Sequence, residues 1–555
     1  MFIDAREIPP NSQLDCDVVI VGAGAGGIPL ACEFANTGWN VILLEAGGKR
    51  TDRETQDLYR GEVTDPLHHG PLDHYRRRCF GGTSTVWGGR CAPFDEIDFQ
   101  RRAHVPDSGW PICRSDLDPY YRRAHAYCHA GEYEYDVSSA LPGKPPEMIP
   151  GLRSKDVSQD RIWRFSLPTN MAKSFGGVLE QSPRVRVLFH ANCLRILTSE
   201  SGTAVAALKV ASLQRNEFSV RARFYVLSAG GLEVTRLLLV SDDVHRHGIG
   251  NDHDFLGRFY GSHITGELGA VTLTPRGGPL IWDYEMTRDG VYCRRTLSIR
   301  PETQRREGLM NFRCGLFPPP IADPAHRNAI LSSVYLIKRF LIHRIPPEYS
   351  KDLAAMTPYK RVLEHARNVV LGAPQLAAFS FGWVNKRILS ERKLPSVMLE
   401  NRANVYNLHF DAEQSPNRES RVMLSEQVDA LGVRRLRVDW RFREADAQSV
   451  VRSFEILRRD LHDSGVGVTH SSAEELSGAL MSGSGVGSHH YGTTRMSADP
   501  KAGVVDEHCR VHGVENLFVA SSSVCPTTSF ANPTLTIVAL NLRVADRVKH
   551  LLQHT

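Results

Sequence analysis

Residues 17–45 read DVVIVGAGAGGIPLACEFANTGWNVILLE, and this stretch decides the fold. The β-branched apolar run at 17–21 predicts a short buried strand. Glycines follow at once, and the pattern of residues 28–35 predicts a helix that ends before Gly38. Residues 39–44 predict a second strand. A strand, a glycine turn, a helix and a second strand together predict a Rossmann-like α/β unit.

The glycines and the acid of this unit predict a dinucleotide site. Gly22 permits the tight turn, Gly24 lets a pyrophosphate approach the backbone, and Gly27 lets helix and strand pack closely. The phosphates would meet the free N–H groups at the helix start. Glu45 stands 18 residues beyond Gly27, where a carboxylate can accept hydrogen bonds from the adenosine ribose. Its charge disfavours a 2′-phosphate and therefore NADP.

The composition indicates a multidomain globular enzyme. The chain has 555 residues, 41% hydrophobic and 23% charged, with a net charge of +5. This length suggests two or more domains. The charge does not indicate a nucleic-acid partner, and the run of Arg76, Arg77 and Arg78 is interpreted as a solvated or substrate-entrance surface. Eleven cysteines without a Cys-x-x-Cys pair predict reduced thiols and a cytoplasmic location, with no metal site. No transmembrane segment is predicted.

Further segments point to a large flat ligand. Residues 79–90, CFGGTSTVWGGR, combine four glycines with three hydroxyl side chains, which suits backbone lying close to such a ligand. Residues 225–239 predict a strand, a glycine turn and a helix that extend the first sheet. Residues 516–521 predict one more strand. Residues 532–546 predict a helix with Asn532 as its N-cap and a proline in its first turn. The candidate cofactor contacts in these segments are Gly82, Thr83, Ser84, Val86, Trp87, Ala229, Gly230, Ser521, Asn532, Pro533 and Thr534.

Together with residues 487–496, GSHHYGTTRM, these segments resemble the glucose–methanol–choline (GMC) oxidoreductase family. The resemblance is strongest to its sugar- and aminoglycoside-oxidising branch, which is pyranose oxidase-like and paromamine oxidase-like. It implies a Rossmann-like FAD-binding domain of α/β type and an α+β substrate domain on a mostly antiparallel sheet. We assign 1–100, 185–262 and 486–555 to the first, and 101–184 and 263–485 to the second. Strand-like runs at 406–410, 420–424 and 436–440 agree with such a sheet.

The resemblance also implies the chemistry. FAD would accept a hydride at flavin N5 from an alcohol carbon, on a primary or secondary hydroxyl of a sugar, glycoside or aminoglycoside. His489 matches the position of the base that takes the hydroxyl proton, and Asn532 the position that orients the hydroxyl. Covalent pyranose oxidases carry a flavin-linked histidine where this chain has Val86, so we expect non-covalent FAD.

Alternatives remain open for individual residues. The motif offset favours His489 over His490 as the base, and the pair could also be structural or bind a metal. Asn532 could act as a helix cap, and Thr534 could pack rather than face the flavin. His263 is interpreted as a core or loop histidine. Aromatic side chains near Trp110 and Tyr121 could stack on a sugar or pack the domain.

Alternatives also remain open for the whole protein. A non-redox FAD-containing lyase, similar to the hydroxynitrile lyases of the family, would bleach no flavin with substrate. A plain NAD-binding protein would not be yellow. The electron acceptor could be O2, a quinone or a redox protein, and the chain could form a homo-oligomer. Residues 326–372 predict an insertion of amphipathic helices that packs on its own body or a partner subunit, or lies on a membrane surface.

Overall fold

The structure is a computed structural model that describes residues 1–167, 169–318, 321–342, 357–396, 399, 404–483 and 488–554. Three parts of the sequence-based predictions lie outside the described residues. They are residues 343–356 of the helical insertion, residues 401–403 before the strand at 406–410, and residues 486–487 at the start of the C-terminal motif.

The first sheet carries the glycine turns. Within the described residues it has eight strands. Seven of them lie in the order β1-β7-β3-β2-β10-β9-β8, and the eighth, β19, also pairs with β10. They are β1 (Phe2–Asp4), β2 (Gln13–Val21), β3 (Val41–Leu44), β7 (Val185–Phe189), β8 (Asn192–Thr198), β9 (Val205–Ala211), β10 (Glu217–Leu227) and β19 (Leu517–Val519). Strands β7, β3, β2, β10 and β19 run parallel. Their carboxyl ends therefore meet at one edge, where a doubly wound sheet binds its ligand. The predicted Rossmann-like architecture is confirmed.

The first helix is shorter than the sequence suggests. Helix α1 (Gly27–Cys32) has six residues, whereas the sequence predicted helix over residues 28–35. After it, the amides of Phe34 and Ala35 bond to carbonyls only three residues back. This tighter turn ends the α-helical pattern although the side chains remain apolar.

A second sheet of mostly antiparallel strands packs beside the first. In the described chain it has the order β18-β11-β15-β14-β13-β6-β5, with β12 on β13. Its strands are β5 (Arg90–Cys91), β6 (Val157–Phe165), β11 (Ile264–Leu273), β12 (Glu285–Met286), β13 (Tyr292–Ile299), β14 (Phe312–Phe317), β15 (Val405–Ala412) and β18 (Gly467–Thr469). The strand predicted at 406–410 is β15. Strand β5 immediately follows the glycine segment 79–90, so that segment leads from one sheet into the other.

The other two predicted strands form a small separate sheet. Strands β16 (Arg421–Val428) and β17 (Arg434–Asp439) pair as a hairpin, and β17 also pairs in parallel with β4 (Glu62–Val63). Trp440 and Tyr260 pack into the apolar cluster under this sheet. The hairpin therefore closes over the first sheet beside the segment that carries the arginine run.

The described helices cover both sheets. They are α1, α2 (Arg53–Asp57), α3 (Glu96–Phe99), α4 (Arg114–Cys128), α5 (Val137–Ala140), α6 (Met171–Gln181), α7 (Gly231–Val240), α8 (Pro301–Glu307), α9 (Ala329–Ile337), α10 (Pro358–Leu371), α11 (Ala373–Trp383), α12 (Glu444–Asp463), α13 (Ala473–Met481) and α14 (Thr534–His554). Helix α14 packs against α1 and α4. The chain's last helix thus lies on the first glycine unit.

The helical insertion is longer than predicted. Among the described residues, helical elements begin with the 3-10 turn at Pro324 and end with the π-helical stretch that finishes at Leu389, and residues 343–356 lie outside the described part; the sequence suggested 326–372. Below, "helical insertion" means residues 324–389. No described helix is both long and apolar enough to cross a bilayer.

Candidate active site

A cavity of about 550 Å³ lies at the carboxyl ends of the parallel strands. This volume is in the usual range for small-molecule and cofactor sites. Its walls come from residues far apart in the chain, and every predicted cofactor contact except Gly27 lines it: Gly22, Gly24, Glu45, Gly82, Thr83, Ser84, Val86, Trp87, Ala229, Gly230, Ser521, Asn532, Pro533 and Thr534. His489 and His490 also line it. The structure therefore brings the predicted sites into one space.

The glycines of the first turn divide into two kinds. A Cβ on Gly22 (φ +102°) would lie 2.6 Å from Cα of Ala229, and a Cβ on Gly27 would lie 1.9 Å from the Gly22 carbonyl oxygen. Glycine is required at these two positions by the protein's own packing. A Cβ on Gly24 would come no closer to protein than 4.0 Å, from Cα of Gly82. Gly24 therefore leaves room that opens into the cavity, as a closely approaching pyrophosphate requires.

Glu45 lies buried in the wall of the same cavity. Its Oε2 accepts from the amide of Ala23 at 3.2 Å, and its Oε1 accepts from the amide of Gly47 at 2.8 Å. Burial raises the pKa of Glu45, and these two amides act against that rise. A carboxylate has about four acceptor positions, so it can still accept ribose hydroxyls. The acid thus also locks the glycine turn.

The residues present fit FAD. One cavity joins the turn at Gly24 and Glu45, which suits an adenosine and pyrophosphate, to Trp87, His489 and Asn532. A nicotinamide dinucleotide would not need the second glycine segment or the C-terminal motif to line the same space. When FAD is bound, the glycine turn and Glu45 would hold its dinucleotide part, and the segment around Trp87 and the start of α14 would border its ring system.

Arg76 is buried and Arg77 and Arg78 are half-buried in the cavity wall, so the arginine run is not a freely solvated surface. Arg76 and Arg78 line the cavity, and both pair with Glu233 on α7, at 3.0 and 3.1 Å. Arg236 lies 3.8 Å from the same carboxylate. Burial acts to raise the pKa of Glu233, but the three guanidinium groups outweigh it and lower the pKa to about 2. Arg236 also pairs with Asp429 at 2.7 Å, so the cluster holds three guanidinium groups against two carboxylates.

The two adjacent histidines face different surroundings. His489 is partly exposed to the cavity, and its ring meets that of His263 edge-on, with centroids 4.7 Å apart. Burial and the nearby His263 and Arg90 lower the pKa of His489 well below its ordinary value. The imidazole is therefore neutral at pH 7 and can accept a proton. The ring of His490 instead stacks on Tyr260, 6.1 Å away.

His263 supports this site from the core, as the sequence suggested. It is buried, and burial lowers its pKa to about 4. Nδ1 of His263 lies 3.0 Å from the Ser529 carbonyl oxygen, and its Nε2 lies 2.8 Å from the Tyr491 hydroxyl oxygen. Tyr491 also lies 3.0 Å from the Ala531 carbonyl oxygen. These contacts fix the segment that leads to Asn532 against the histidine motif.

Asn532 is not the N-cap of α14, contrary to the prediction. The amide of Ile537 bonds to the carbonyl of Pro533 at 2.8 Å, which places the cap at Pro533. The side-chain Oδ1 of Asn532 instead accepts from Nη2 of Arg90 at 2.8 Å. Because Oδ1 is engaged, the amide Nδ2 is left to donate toward the cavity.

Arg90 is the functional residue that sequence reasoning missed. Its Nη1 pairs with Oδ2 of Asp411 on β15 at 2.7 Å, and its guanidinium lies 4.7 Å from the Trp163 ring. His409 lies two residues before Asp411, so both side chains share a face of β15, and its Nδ1 pairs with Glu267 at 3.0 Å. The only signal in the sequence was the place of Arg90 at the end of the second glycine segment.

The aromatic residues considered for sugar stacking pack the protein instead. Trp110 is buried, and its Nε1 donates to Oγ1 of Thr527 at 2.9 Å. Tyr121 is fully buried, with its hydroxyl 2.9 Å from Oγ1 of Thr536 on α14. Trp110, just before α4, and Tyr121, within α4, therefore connect this part of the chain to the C-terminal segment.

Comparisons with known proteins agree with this geometry. The family model of GMC oxidoreductase matches residues 416–541. The chain is 23% identical to paromamine 6′-oxidase of Streptomyces fradiae, over 96% of this chain and 91% of that protein. It is 21% identical to the fructose dehydrogenase large subunit of Gluconobacter japonicus, over 97% and 98%. The crystal structure of pyridoxine 4-oxidase from Mesorbium loti superposes with a TM-score of 0.54 at 19% identity, covering 96% of this chain and 99% of that one.

The parallel sheet, its glycine turns and the cavity that joins Glu45 to His489 define a flavin-dependent oxidoreductase. The fold is the one that the solved neighbour shows, and the relatives match along nearly the whole chain. Residues 416–541 match the GMC oxidoreductase family model, and curated relatives resemble the chain over nearly its whole length, which confirms the resemblance that its motifs indicated.

Proposed function

We propose that this protein oxidises a primary or secondary hydroxyl of a sugar, glycoside or aminoglycoside in an FAD-dependent reaction. One observation carries the proposal: a neutral His489 and the Asn532 side chain line the same cavity. Arg90 holds the Asn532 amide in place. An imidazole that can take a proton and an amide that can hold an oxygen are the two groups that alcohol oxidation needs.

We assign one step to each group. His489 accepts the hydroxyl proton of the substrate, because its lowered pKa keeps the ring unprotonated at neutral pH. Asn532 donates from Nδ2 to the substrate oxygen and stabilises the negative charge that develops there. FAD, when bound, supplies the acceptor for the hydride that leaves the carbon. Thr534 lines the same cavity beside Asn532, and we propose that it contacts the cofactor.

A charged network lies behind Asn532, and the hydroxyl-rich substrate class is supported by the relatives. Arg90, Asp411, His409 and Glu267 bring ionised and hydrogen-bonding groups onto one side of the second sheet. Burial acts to lower the pKa of His409, but Glu267 and Asp411 outweigh it and raise the pKa. These groups already pair with one another within the protein, so they hold Asn532 in place rather than select the substrate. The names of the relatives, which include an aminoglycoside oxidase and a fructose dehydrogenase subunit, agree with this substrate class.

The lyase alternative gains no support, since the named relatives are oxidases and dehydrogenases. An anaerobic titration decides between the two functions. Sugars, glycosides and aminoglycosides are added to the yellow protein without oxygen, with deoxy analogues as matched controls. The proposal expects bleaching of the flavin absorbance by a hydroxylated compound and not by its deoxy analogue. A flavin that stays oxidised while a substrate is cleaved would establish a lyase. The reduced protein is then exposed in turn to O2, a quinone and a one-electron acceptor to identify its acceptor.

We also propose that the FAD is held without a covalent bond. Val86 stands where covalent pyranose oxidases carry the linking histidine, and its side chain borders the cavity. Acid precipitation should release all flavin into the supernatant and leave a colourless pellet. A yellow pellet would show a covalent link through another residue.

The domain division and the cellular location are proposals as well. The strands of 1–100, 185–262 and 486–555 supply the first sheet, although β5 and β4 from 1–100 pair outside it. All eleven cysteines are free, which supports a reducing, cytoplasmic compartment. Limited proteolysis with and without FAD checks the division, because cuts within 486–555 should be suppressed when the cofactor is bound.

A further inference from the structure

The helical insertion shows an apolar surface that nothing in the described chain covers. Nineteen large hydrophobic residues are exposed in the described protein, and nine of them lie between residues 337 and 389. These nine define the insertion surface: Ile337, Phe340, Tyr359, Leu363, Val370, Leu371, Phe381, Val384 and Leu389. Val370 and Phe381 are each 74% exposed, and Leu371 is 72% exposed. A contiguous exposed apolar patch usually marks a site of association.

Helix α10 has its polar side inward. Its buried residues are His365 and Asn368. The His365 ring stacks on Tyr335 of α9 at 4.0 Å, and its Nδ1 lies 3.0 Å from Oγ of Ser332. Nδ2 of Asn368 donates to the Pro324 carbonyl at 2.8 Å. Leu363, Val370 and Leu371 of α10 are exposed while its buried residues are polar, the reverse of a helix that packs its apolar face on its own body.

Helix α11 also exposes apolar side chains. Its sequence is APQLAAFSFGW, apolar on all sides, and no residue of it is buried among those described. A helix of this composition is normally surrounded by protein or lipid. Leu376 and Phe379 touch the small core formed by Ile330 and Leu331, so that core uses only one side of α11.

The net charge of the helical insertion indicates which kind of partner docks on the insertion surface. Residues 324–389 contain ten Lys and Arg against three Asp and Glu, a net charge of +7, whereas the whole chain carries +5. The rest of the protein is therefore slightly acidic. Basic residues alternate with the exposed apolar ones, as in Lys338-Arg339-Phe340 and Tyr359-Lys360-Arg361. A two-fold contact between copies would place two such cationic faces together, which Coulomb repulsion opposes.

We propose that the insertion surface docks on an anionic phospholipid surface. Aromatic and aliphatic side chains would enter the headgroup region while Lys and Arg contact lipid phosphates, as in interfacial helices that lie on a membrane. This docking goes beyond the alcohol oxidation proposed above and does not depend on it. The protein would lie on the bilayer, in agreement with the absence of a membrane-crossing helix among its described residues.

Vesicle flotation of the full, flavin-loaded chain tests the docking. The chain should float with vesicles that contain phosphatidylglycerol, much less with pure phosphatidylcholine, and high salt should weaken the binding. A charge variant with Arg339→Gln, Lys360→Gln and Lys386→Gln should bind about a hundredfold more weakly, from about fivefold for each cation. Its matched control removes three exposed cations elsewhere, Lys144→Gln, Lys155→Gln and Arg458→Gln, and should bind as wild type.

The apolar side chains need their own variant. Val370→Gln, Leu371→Gln and Phe381→Gln together should lower anionic-vesicle binding at least tenfold, and the flavin spectrum should stay unchanged because none of the three is buried. Wild type that fails to float with anionic vesicles would overturn the proposal, as would binding that survives the charge variant. A dimer in sedimentation velocity that this apolar variant dissociates, without vesicle binding, would assign the surface to a second copy instead.

Discussion

Arg90 joins Asn532, which lies just before α14, to Asp411 on β15 of the second sheet. Its Nη2 donates to Oδ1 of Asn532 at 2.8 Å, while its Nη1 pairs with Asp411 at 2.7 Å. This double contact fixes which side of the Asn532 amide faces the cavity. Because lysine has one cationic nitrogen, it cannot make both contacts in the same geometry.

Arg90→Lys should therefore lower the rate of flavin reduction about tenfold while the protein keeps its flavin. The charge near Asp411 is retained, so the loss reports on the orientation of Asn532. Stopped-flow reduction under anaerobic conditions measures it, with Arg458→Lys on the surface of α12 as the matched control. An Arg90→Lys enzyme as fast as wild type would show that Asn532 needs no anchor.

Gly24→Ala should weaken FAD binding at least tenfold and leave the unfolding midpoint of the cofactor-free protein nearly unchanged. The added Cβ meets no protein atom closer than 4.0 Å and points into cavity space, so only the ligand is obstructed. Titration of the cofactor-free protein with FAD measures the affinity. Gly38→Ala, whose Cβ has no neighbour within 4 Å, is the control. Equal affinity in the two variants would place the dinucleotide elsewhere.

Much of this architecture follows from local sequence, and the parts that do not are contacts between distant segments. The strands and the glycine turn at Gly22 were predictable, because β-branched runs and a positive φ leave few alternatives. The ion pair of Arg78 was not, since its partner Glu233 is 155 residues away. Asn532 resembled a helix cap because its real partner, Arg90, is 442 residues away. Local sequence patterns do not show which distant segments come into contact.

Glu233→Gln should lower the free energy of unfolding by about 3 kcal/mol at pH 7. The arginines depress the folded pKa of Glu233 from 4.5 to about 2. The carboxylate therefore stabilises the protein fully above pH 4.5, and that contribution is lost as the pH falls toward 2. Urea unfolding of both proteins between pH 7 and pH 3 should show the difference narrowing in acid.

The control for this series is Glu426→Gln, which removes a solvent-exposed carboxylate paired with Arg434 and should change stability by less than about 1 kcal/mol. A difference between Glu233→Gln and wild type that stayed constant with pH would mean that the arginine cluster does not act through the ionised carboxylate.

If His489 takes the substrate proton, flavin reduction depends on His489 and not on the adjacent His490. Anaerobic stopped-flow reduction is compared for wild type, His489→Ala and the neighbouring control His490→Ala, each with its flavin bound. We expect His489→Ala to be reduced at least about a hundredfold more slowly, while His490→Ala stays within about tenfold of wild type. Wild-type reduction rates in His489→Ala, or the large loss in His490→Ala instead, would contradict it.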